Sequence, residues 1–423
     1  MLEAARRSGA ADRRAVFEVF ARHLPNGRRY GIVAGTGRLL DDLERFNFDA
    51  PALDFLRRAE VVDNGTLEYL EAFRFSGDIW GYQEGDCYFP GSPILVVEAP
   101  FGEAVLLETI TLSILNHDSA IASAASRMVT AAGGRPMIEM GSRRTHEQAA
   151  VASARAAYIA GFASTSNLQA AQSFGVPSAG TSAHSYTLVH DSERKSFSTQ
   201  LAALGNSTTL LVDTYDVPRA VRTAVELAGP ELGAVRIDSG DLQASAREVR
   251  ALLDSLGAHS TRIIVTGDLD EYSIAALAVA PVDGYGVGTA LVTGSGAPTA
   301  ALVYKLVARS DGPDGPAAAQ QLRPVAKRSV GKPGRGGRKW PVRHRDEHGT
   351  ALAEVIGFGP PEPGPYDRPL LHPLVRGGEV VGREPLAAVR ERHEAAVAEL
   401  PRHAHQLSRG DPAIPTIFQP NRE

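Results

Sequence analysis

The residues able to do chemistry fall in short polar clusters that interrupt apolar runs. The segment GFASTSNLQAAQSFGVPSAGTSAHSY, from Gly161 to Tyr186, has a polar turn at Ser164 to Asn167 and a corner at Gly175 to Pro177. Beyond the corner, a second polar strand end is predicted to carry Thr181 and His184, and His184 is the candidate nucleophile; the alternative is a histidine satisfied within the core. Arg143 and Arg144 follow another apolar run. A guanidinium fork recognises carboxylate or phosphate through two parallel hydrogen bonds, which suits a small anion, although an ion pair with Glu139 or Glu147 is equally open. VDTYD, RIDSGD and TGDLD supply Asp213 and Asp216, Asp238 and Asp241, and Asp268 and Asp270. Carboxylates at strand ends hold Mg²⁺ with part of its water shell beside a diphosphate. Asp216 and Asp241 also fit as helix N-caps, which leaves Asp213 and Asp238 as the metal or substrate candidates. Thr266-Gly267 and Gly286-Val287-Gly288-Thr289 form glycine-rich tips whose amides at helix starts would cradle a phosphate monoester. A substrate set with a 5-phosphate, a diphosphate and a carboxylated ring matches these features together.

The elements that must position these groups alternate between strand and helix. Strand tips are predicted at 137–144, 161–167, 175–185, 208–216, 234–241, 262–270 and 283–289, with helices between them such as Val217 to Leu227 and Leu242 to Leu256. That alternation predicts a parallel α/β barrel, in which side chains at the carboxyl ends of strands converge on one mouth. Ahead of it, residues 1–101 read as an α+β domain, with a glycine-rich turn at Gly31 to Gly37 entering a helix through Leu39, Leu40 and Leu43. The GxxxGxG spacing there fits neither a dinucleotide fingerprint nor a P-loop, because no Lys-Ser/Thr follows. A long helix from Gly102 to Thr130 opens the catalytic domain, residues 102–305. Residues 306–339 read as a flexible Gly/Pro-rich segment whose basic cluster, Lys327, Arg328, Lys332, Arg335, Arg338 and Lys339, is expected to be solvated. Residues 340–423 are predicted to form hairpins turning at His348-Gly349 and Gly377-Gly378, a helix at Pro385 to Leu400 and a loosely held tail, packing on the N-terminal domain.

Composition narrows the functional classes. The chain has 423 residues, 43% hydrophobic and 22% charged, and a net charge of −5, so nothing draws it generally to nucleic acid or an anionic membrane. Cys87 is the only cysteine, which excludes an internal disulfide and a cysteine zinc site. No apolar run approaches the length of a membrane span, and the charged N-terminus lacks a signal region, so a cytoplasmic enzyme acting on small molecules is expected.

The chain resembles the nicotinate phosphoribosyltransferase family. The motifs GSRRTHEQAAVASARAAYIAGFASTSNLQAAQSFGVPSAGTSAHS, LLVDTYDV, VRIDSGDL, VTGDLDEY and GYGVGTALVTG stand in the family's order over Met137 to Gly294. The resemblance implies an irregular α/β barrel beside an α+β domain built from both chain ends, and a homodimer with active sites at the interface. It implies formation of nicotinate mononucleotide from nicotinate and phosphoribosyl diphosphate, with Mg²⁺ and with ATP as co-substrate, in NAD biosynthesis. Carried over by residue, it makes His184 the histidine phosphorylated by ATP. Arg143, with Arg144 beside it, meets the pyridine carboxylate or a phosphate, and Ser166, Thr181 and Met140 line the substrate. Arg236 and Asp238 contact the ribose and ring, and Gly267, Gly288 and Thr289 hold the 5-phosphate. Related nicotinamide enzymes carry an aspartate at the Ser166 position, which would repel a carboxylate.

Two departures accompany the resemblance. Family members begin with a T-D-x-Y-x-x-T-M segment whose tyrosine stacks on the pyridine ring, whereas here the sequence starts at that Met. Met140 stands where relatives often carry phenylalanine, and a lost aromatic face costs about 1 kcal/mol beyond its area. A catalytically impaired homologue that still binds nicotinate and phosphoribosyl diphosphate is therefore one alternative, and nicotinamide or quinolinate transfer on the same barrel is another. A Schiff-base aldolase is disfavoured by the lack of a lysine at the tips, Lys305 lying past the last strand.

Overall fold

The computed structural model describes residues 1–314, 322–327 and 334–420. Two compact units emerge, one of Ile121–Pro298 and one of Met1–Ala120 joined by Thr299–Glu423.

The first unit is a mixed α/β half-barrel. Its six strands are β1 (Met137–Glu139), β2 (Ser164–Thr165), β3 (Thr209–Leu211), β4 (Ala234–Ile237), β5 (Arg262–Val265) and β6 (Gly284–Val287). They lie in the order β2-β1-β6-β5-β4-β3, with every pair parallel. Parallel strands covered on both faces must be apolar throughout, and Leu210, Leu211, Val235, Ile237, Ile263, Val265, Tyr285 and Val287 are all buried. Helices Val217–Ala228 and Leu242–Ser255 turn the apolar faces of Ala220, Val221, Ala224 and Val225, and of Ala246, Val249 and Leu253, inward. Asp216 and Asp241 cap these helices by accepting the amides of Arg219 and of Gln243 and Ala244.

One predicted strand is not formed. Between 175 and 185 the backbone makes a single bridge, Ser178 to Thr165, and His184 instead opens a short helix, His184–Leu188. The reason is compositional: Gly175 ends the preceding helix in the left-handed region, Pro177 follows, and the Ser-Ala-Gly-Thr-Ser run has no apolar face to bury. The sheet accordingly has no strand pairing between β2 and β3.

The second unit is α+β and draws on both chain ends. Strand Arg13–Ala21 lies inside a seven-stranded sheet, antiparallel to Leu302–Pro313 on one side and to the central strand Leu95–Pro100 on the other. His372–Arg376 joins the same sheet beside Asp78–Gly81. Helix Glu108–Ala132 spans the division between the units, which falls at Ala120 and not ahead of the helix at 102. Ile114, Leu115 and Ala120 belong to the core formed with Val16, Leu95 and Tyr304, which assigns this half of the helix to the second unit. Strand Leu302–Pro313 likewise carries regular structure past 305.

The basic segment meets its solvated expectation only in part: Lys327 and Arg335 are exposed, whereas Arg338 and Lys339 are not. Arg328 and Lys332 lie outside the described residues, but Lys339 is buried with Nζ 2.7 Å from Glu18 Oε2. Arg338 donates to Glu98 Oε1 at 2.9 Å and stacks 3.4 Å over the Trp340 ring. Glu18 and Glu98 stand on adjacent strands of a buried sheet face and require counter-charge, which these two residues supply. The tail is also held: Thr416–Phe418 pairs in parallel with Ala351–Gly357.

A second buried charge cluster ties the C-terminal hairpin to the N-terminal segment. Arg343 and Glu354, both fully buried, pair at 2.6 Å, Arg343 also donates to the Cys87 carbonyl, and Tyr82 donates to Glu354. Removing one member leaves the other uncompensated, so Arg343→Met is expected to lower the unfolding free energy by about 3–5 kcal/mol. The Arg343→Met/Glu354→Leu pair should recover most of that loss in urea titrations; a single variant as stable as the parent would contradict the assignment.

Candidate active site

The acidic tips of β3 and β4 and the tip of β5 meet in one hydrogen-bonded network. Register places it: Val265 pairs with Ile237 and Leu211 with Arg236, so Thr266, Asp238 and Asp213 follow side by side. Asp213 Oδ2 accepts the Asp238 amide at 2.9 Å and the Ser239 hydroxyl at 2.7 Å. Thr266 donates its hydroxyl to Asp238 Oδ1 and accepts Arg236 Nε at 2.9 Å. Arg236 spends its remaining nitrogens on Asp238 Oδ1 at 3.1 Å, on the Ser182 carbonyl at 3.2 Å and on the Thr181 hydroxyl. The irregular stretch before His184 is therefore held on the sheet by this guanidinium.

His184 faces the two carboxylates. Its Nε2 lies 3.8 Å from Asp213 Oδ1 and 3.6 Å from Asp238 Oδ2, and Nδ1 is 3.2 Å from the Thr214 hydroxyl. Asp213 Oδ1 is buried without a hydrogen-bond partner among the described residues, and the imidazole Nε2 faces it at 3.8 Å. Acids placed this way orient an imidazole and stabilise positive charge on it. Burial pushes the Asp238 carboxyl up, but the Thr266 hydroxyl and the Arg236 guanidinium outweigh it and hold the group below the usual aspartate range.

A second cluster stands at the tips of β1 and β2. Arg143 and Arg144 are exposed in the turn after β1. Neither forms the ion pair considered for it, because Glu147 meets His146 while Glu139 is engaged by the Gly141 amide and the Thr165 hydroxyl. Ser166 is exposed, its amide on the Glu139 carbonyl at 2.8 Å. Met140 and Thr266 flank Gly286 from two sides; a Cβ there would lie 2.8 Å from Met140 Sδ and 2.5 Å from Thr266 Cγ2. The glycine thus lets the two clusters approach.

The phosphate tips are unequal. Gly288 is the N-cap of the short helix Thr289–Val292, so Thr289 begins a set of amides without intrahelical partners. Gly267 is not at a helix start. It occupies a turn with φ +113°, its Cβ position only 2.5 Å from the Asp238 carbonyl, and the next helix is capped by Asp270, which takes the amides of Tyr272 and Ser273. Gly267 serves close backbone approach to Asp238, which no other residue permits.

Motif reading passed over Thr214, read Thr266 only as part of a phosphate tip, and read Glu139 only as an ion-pair partner for Arg143 or Arg144. Thr266 and Glu139 were signalled by a polar residue closing an apolar strand, Thr214 only by its place in the VDTYD tip. Among the described residues no group of three or more His, Cys, Asp or Glu side chains is arranged to hold a metal ion by itself.

A parallel half-barrel with acids, a histidine and exposed arginines at its strand ends is the architecture of an enzyme that handles small anionic substrates at its strand tips. The chain matches the nicotinate phosphoribosyltransferase N-terminal domain over residues 1–116 and the nicotinate phosphoribosyltransferase family over residues 136–310. It is 56% identical to a nicotinate phosphoribosyltransferase of Mycobacterium tuberculosis over 98% of this chain and 92% of the relative. A Bacillus subtilis nicotinate phosphoribosyltransferase is 37% identical over 73% of this chain and 64% of its own. The crystal structure of human nicotinic acid phosphoribosyltransferase superposes with a TM-score of 0.82 at 25% identity, covering 99% of this chain and 96% of that one. The chain belongs to the nicotinate phosphoribosyltransferase family.

Thr266→Val removes the hydroxyl that does most to lower Asp238 while keeping its volume. The Asp238 carboxyl is then expected to titrate at higher pH in a carbon-detected NMR titration. An unmoved midpoint would show that Thr266 does not set the charge of Asp238.

Proposed function

We propose that this chain joins nicotinate to phosphoribosyl diphosphate, forming nicotinate mononucleotide and releasing diphosphate, as a cytoplasmic step of NAD biosynthesis. The observation that carries the reading is the His184–Asp213–Asp238–Arg236–Thr266 network at one sheet edge, in a chain of this family, with exposed arginines in the turn after β1 of the same sheet. The ring nitrogen forms a bond to the anomeric carbon as the bond to diphosphate oxygen breaks. Positive charge builds on the ribose in the transition state, and an aspartate kept ionised by Thr266 and Arg236 is suited to stabilise it. Arg143, with Arg144 beside it, pairs with the nicotinate carboxylate; Ser166, Met140 and Thr181 border the ring. Gly288 and Thr289 offer amides to the 5-phosphate, with Gly267 allowing the adjacent backbone to come close. Most of the rate then comes from holding both reactants in line.

ATP is the co-substrate in this reading. His184 accepts its terminal phosphoryl group, a nitrogen–phosphorus bond replacing the bond to the departing ADP, and water later removes the phosphate. Mg²⁺ fits the donor set, since Asp213 retains a buried oxygen without a partner and Asp238 is ionised, and such an ion takes only one or two carboxylates with substrate phosphates. When bound it would neutralise charge on the leaving diphosphate. The working assembly is a homodimer.

Purified protein supplied with nicotinate, phosphoribosyl diphosphate, Mg²⁺ and ATP should form nicotinate mononucleotide, read by chromatography. His184→Ala should abolish the stimulation by ATP, and Asp238→Asn should lower kcat on the order of 10²-fold. Turnover of nicotinamide at a rate equal to nicotinate would remove the carboxylate assignment. ATP stimulation surviving in His184→Ala would remove the phosphohistidine.

A further inference from the structure

We infer that Glu139 is a positioning residue for recognition of the substrate carboxylate, clamping the loop that carries Arg143 to the strand tip that carries Ser166. Glu139 is the last residue of β1, and it is fully buried. One carboxylate oxygen accepts the Gly141 amide, two residues ahead of Arg143. The other accepts the Thr165 hydroxyl, one residue before Ser166. Its main-chain carbonyl takes the Ser166 amide at 2.8 Å. The clamp continues outward: Thr165 Oγ1 also accepts the Asn167 amide at 2.9 Å, and Asn167 Nδ2 donates to Ser142 Oγ at 3.0 Å. Three side-chain links therefore relate residues 141–142 to residues 165–167, and two of them begin at one carboxylate.

The chemistry of this position is costly for packing alone. A buried carboxylate answered only by neutral donors raises its own proton affinity, and desolvation does push the Glu139 group up. An aliphatic side chain would complete the apolar strand without that cost, so what the acid adds is the connection. Gly141 fits the same purpose: a Cβ there would meet Val292 Cγ1 at 2.1 Å and Glu139 Oε1 at 3.0 Å, so only glycine lets the amide reach the carboxylate. Both oxygens being occupied, Glu139 does not compete with the substrate for Arg143.

The inference rests on Arg143 and Ser166 meeting nicotinate, so the test begins with Arg143→Ala. That variant should raise the KM for nicotinate; an unchanged value overturns the carboxylate site and the clamp with it. Glu139→Ala should then raise the nicotinate KM at least about tenfold while the phosphoribosyl diphosphate KM stays within about twofold. Combined with Arg143→Ala it should add much less than it does alone, only the part that acts through Ser166. Glu139→Gln should stay near the parent, because its amide oxygen accepts from Gly141 and its NH₂ donates to Thr165. Glu139→Gln with Thr165→Val loses that second link, keeps the core filled should the alanine variant fail to fold, and should again raise the nicotinate KM selectively. Equal rises for both substrates, additivity with Arg143→Ala, or a Glu139→Gln/Thr165→Val enzyme with the parent nicotinate KM would overturn the clamp.

Discussion

A carboxylate at the end of a buried strand must be answered by donors from its neighbours, and that demand organises the catalytic unit. Asp238 is answered by Thr266 from β5 and by Arg236 two residues back; Asp213 is answered by the Asp238 amide and Ser239. The Thr266 hydroxyl, the Asp238 amide and the Ser239 hydroxyl each cross from one strand end to the next, so satisfying the charges sets the distances between the tips. The guanidinium of Arg236 extends the same network to Thr181 and Ser182, and through them positions the stretch that ends at His184. The cost of leaving a buried charge unpaired is what makes the arrangement rigid.

The same constraint operates in the α+β unit with a structural outcome. Glu18 with Lys339 and Glu98 with Arg338 join segments from opposite ends of the sequence, and the Arg343–Glu354 pair does so through the Cys87 carbonyl and the Tyr82 hydroxyl. Asp86 with Arg368 adds a fourth such link, its carboxyl held low by the guanidinium against the effect of burial. No ligand is invoked for these pairs, because each oxygen is used in fixing one strand to another. Charge inside this unit specifies how the C-terminal strands dock on the N-terminal ones, while apolar area supplies the bulk of the stability.

Family membership and geometry illuminate each other at His184. The histidine opens a short helix directly after a stretch without regular structure, where the parallel sheet lacks a strand. An imidazole there has exposure, with 39% of its side chain accessible, which a strand residue packed between two helical layers would lack. A side chain exposed in this way is open to small molecules from solvent.

Most of the fold was legible because its signals are local. Apolar runs ending in polar clusters marked all six parallel strands, Leu39, Leu40 and Leu43 marked a helix, and Asp216 and Asp241 read correctly as possible caps, since helical periodicity and capping depend on residues a few positions apart. The identity of the chemistry was legible too, in the long motifs from Met137 to Gly294. What sequence did not reveal depends on partners far along the chain: the burial of Arg338 and Lys339 against Glu98 and Glu18, the strand made by Thr416–Phe418, and the coil in place of a strand before His184. The sequence alone determined which residue types gather at strand ends, because that follows from periodicity and turn chemistry. Only the tertiary structure decided which oxygen faces which nitrogen, because register between parallel strands separated by whole helices is set by packing and by the pairing of buried charges.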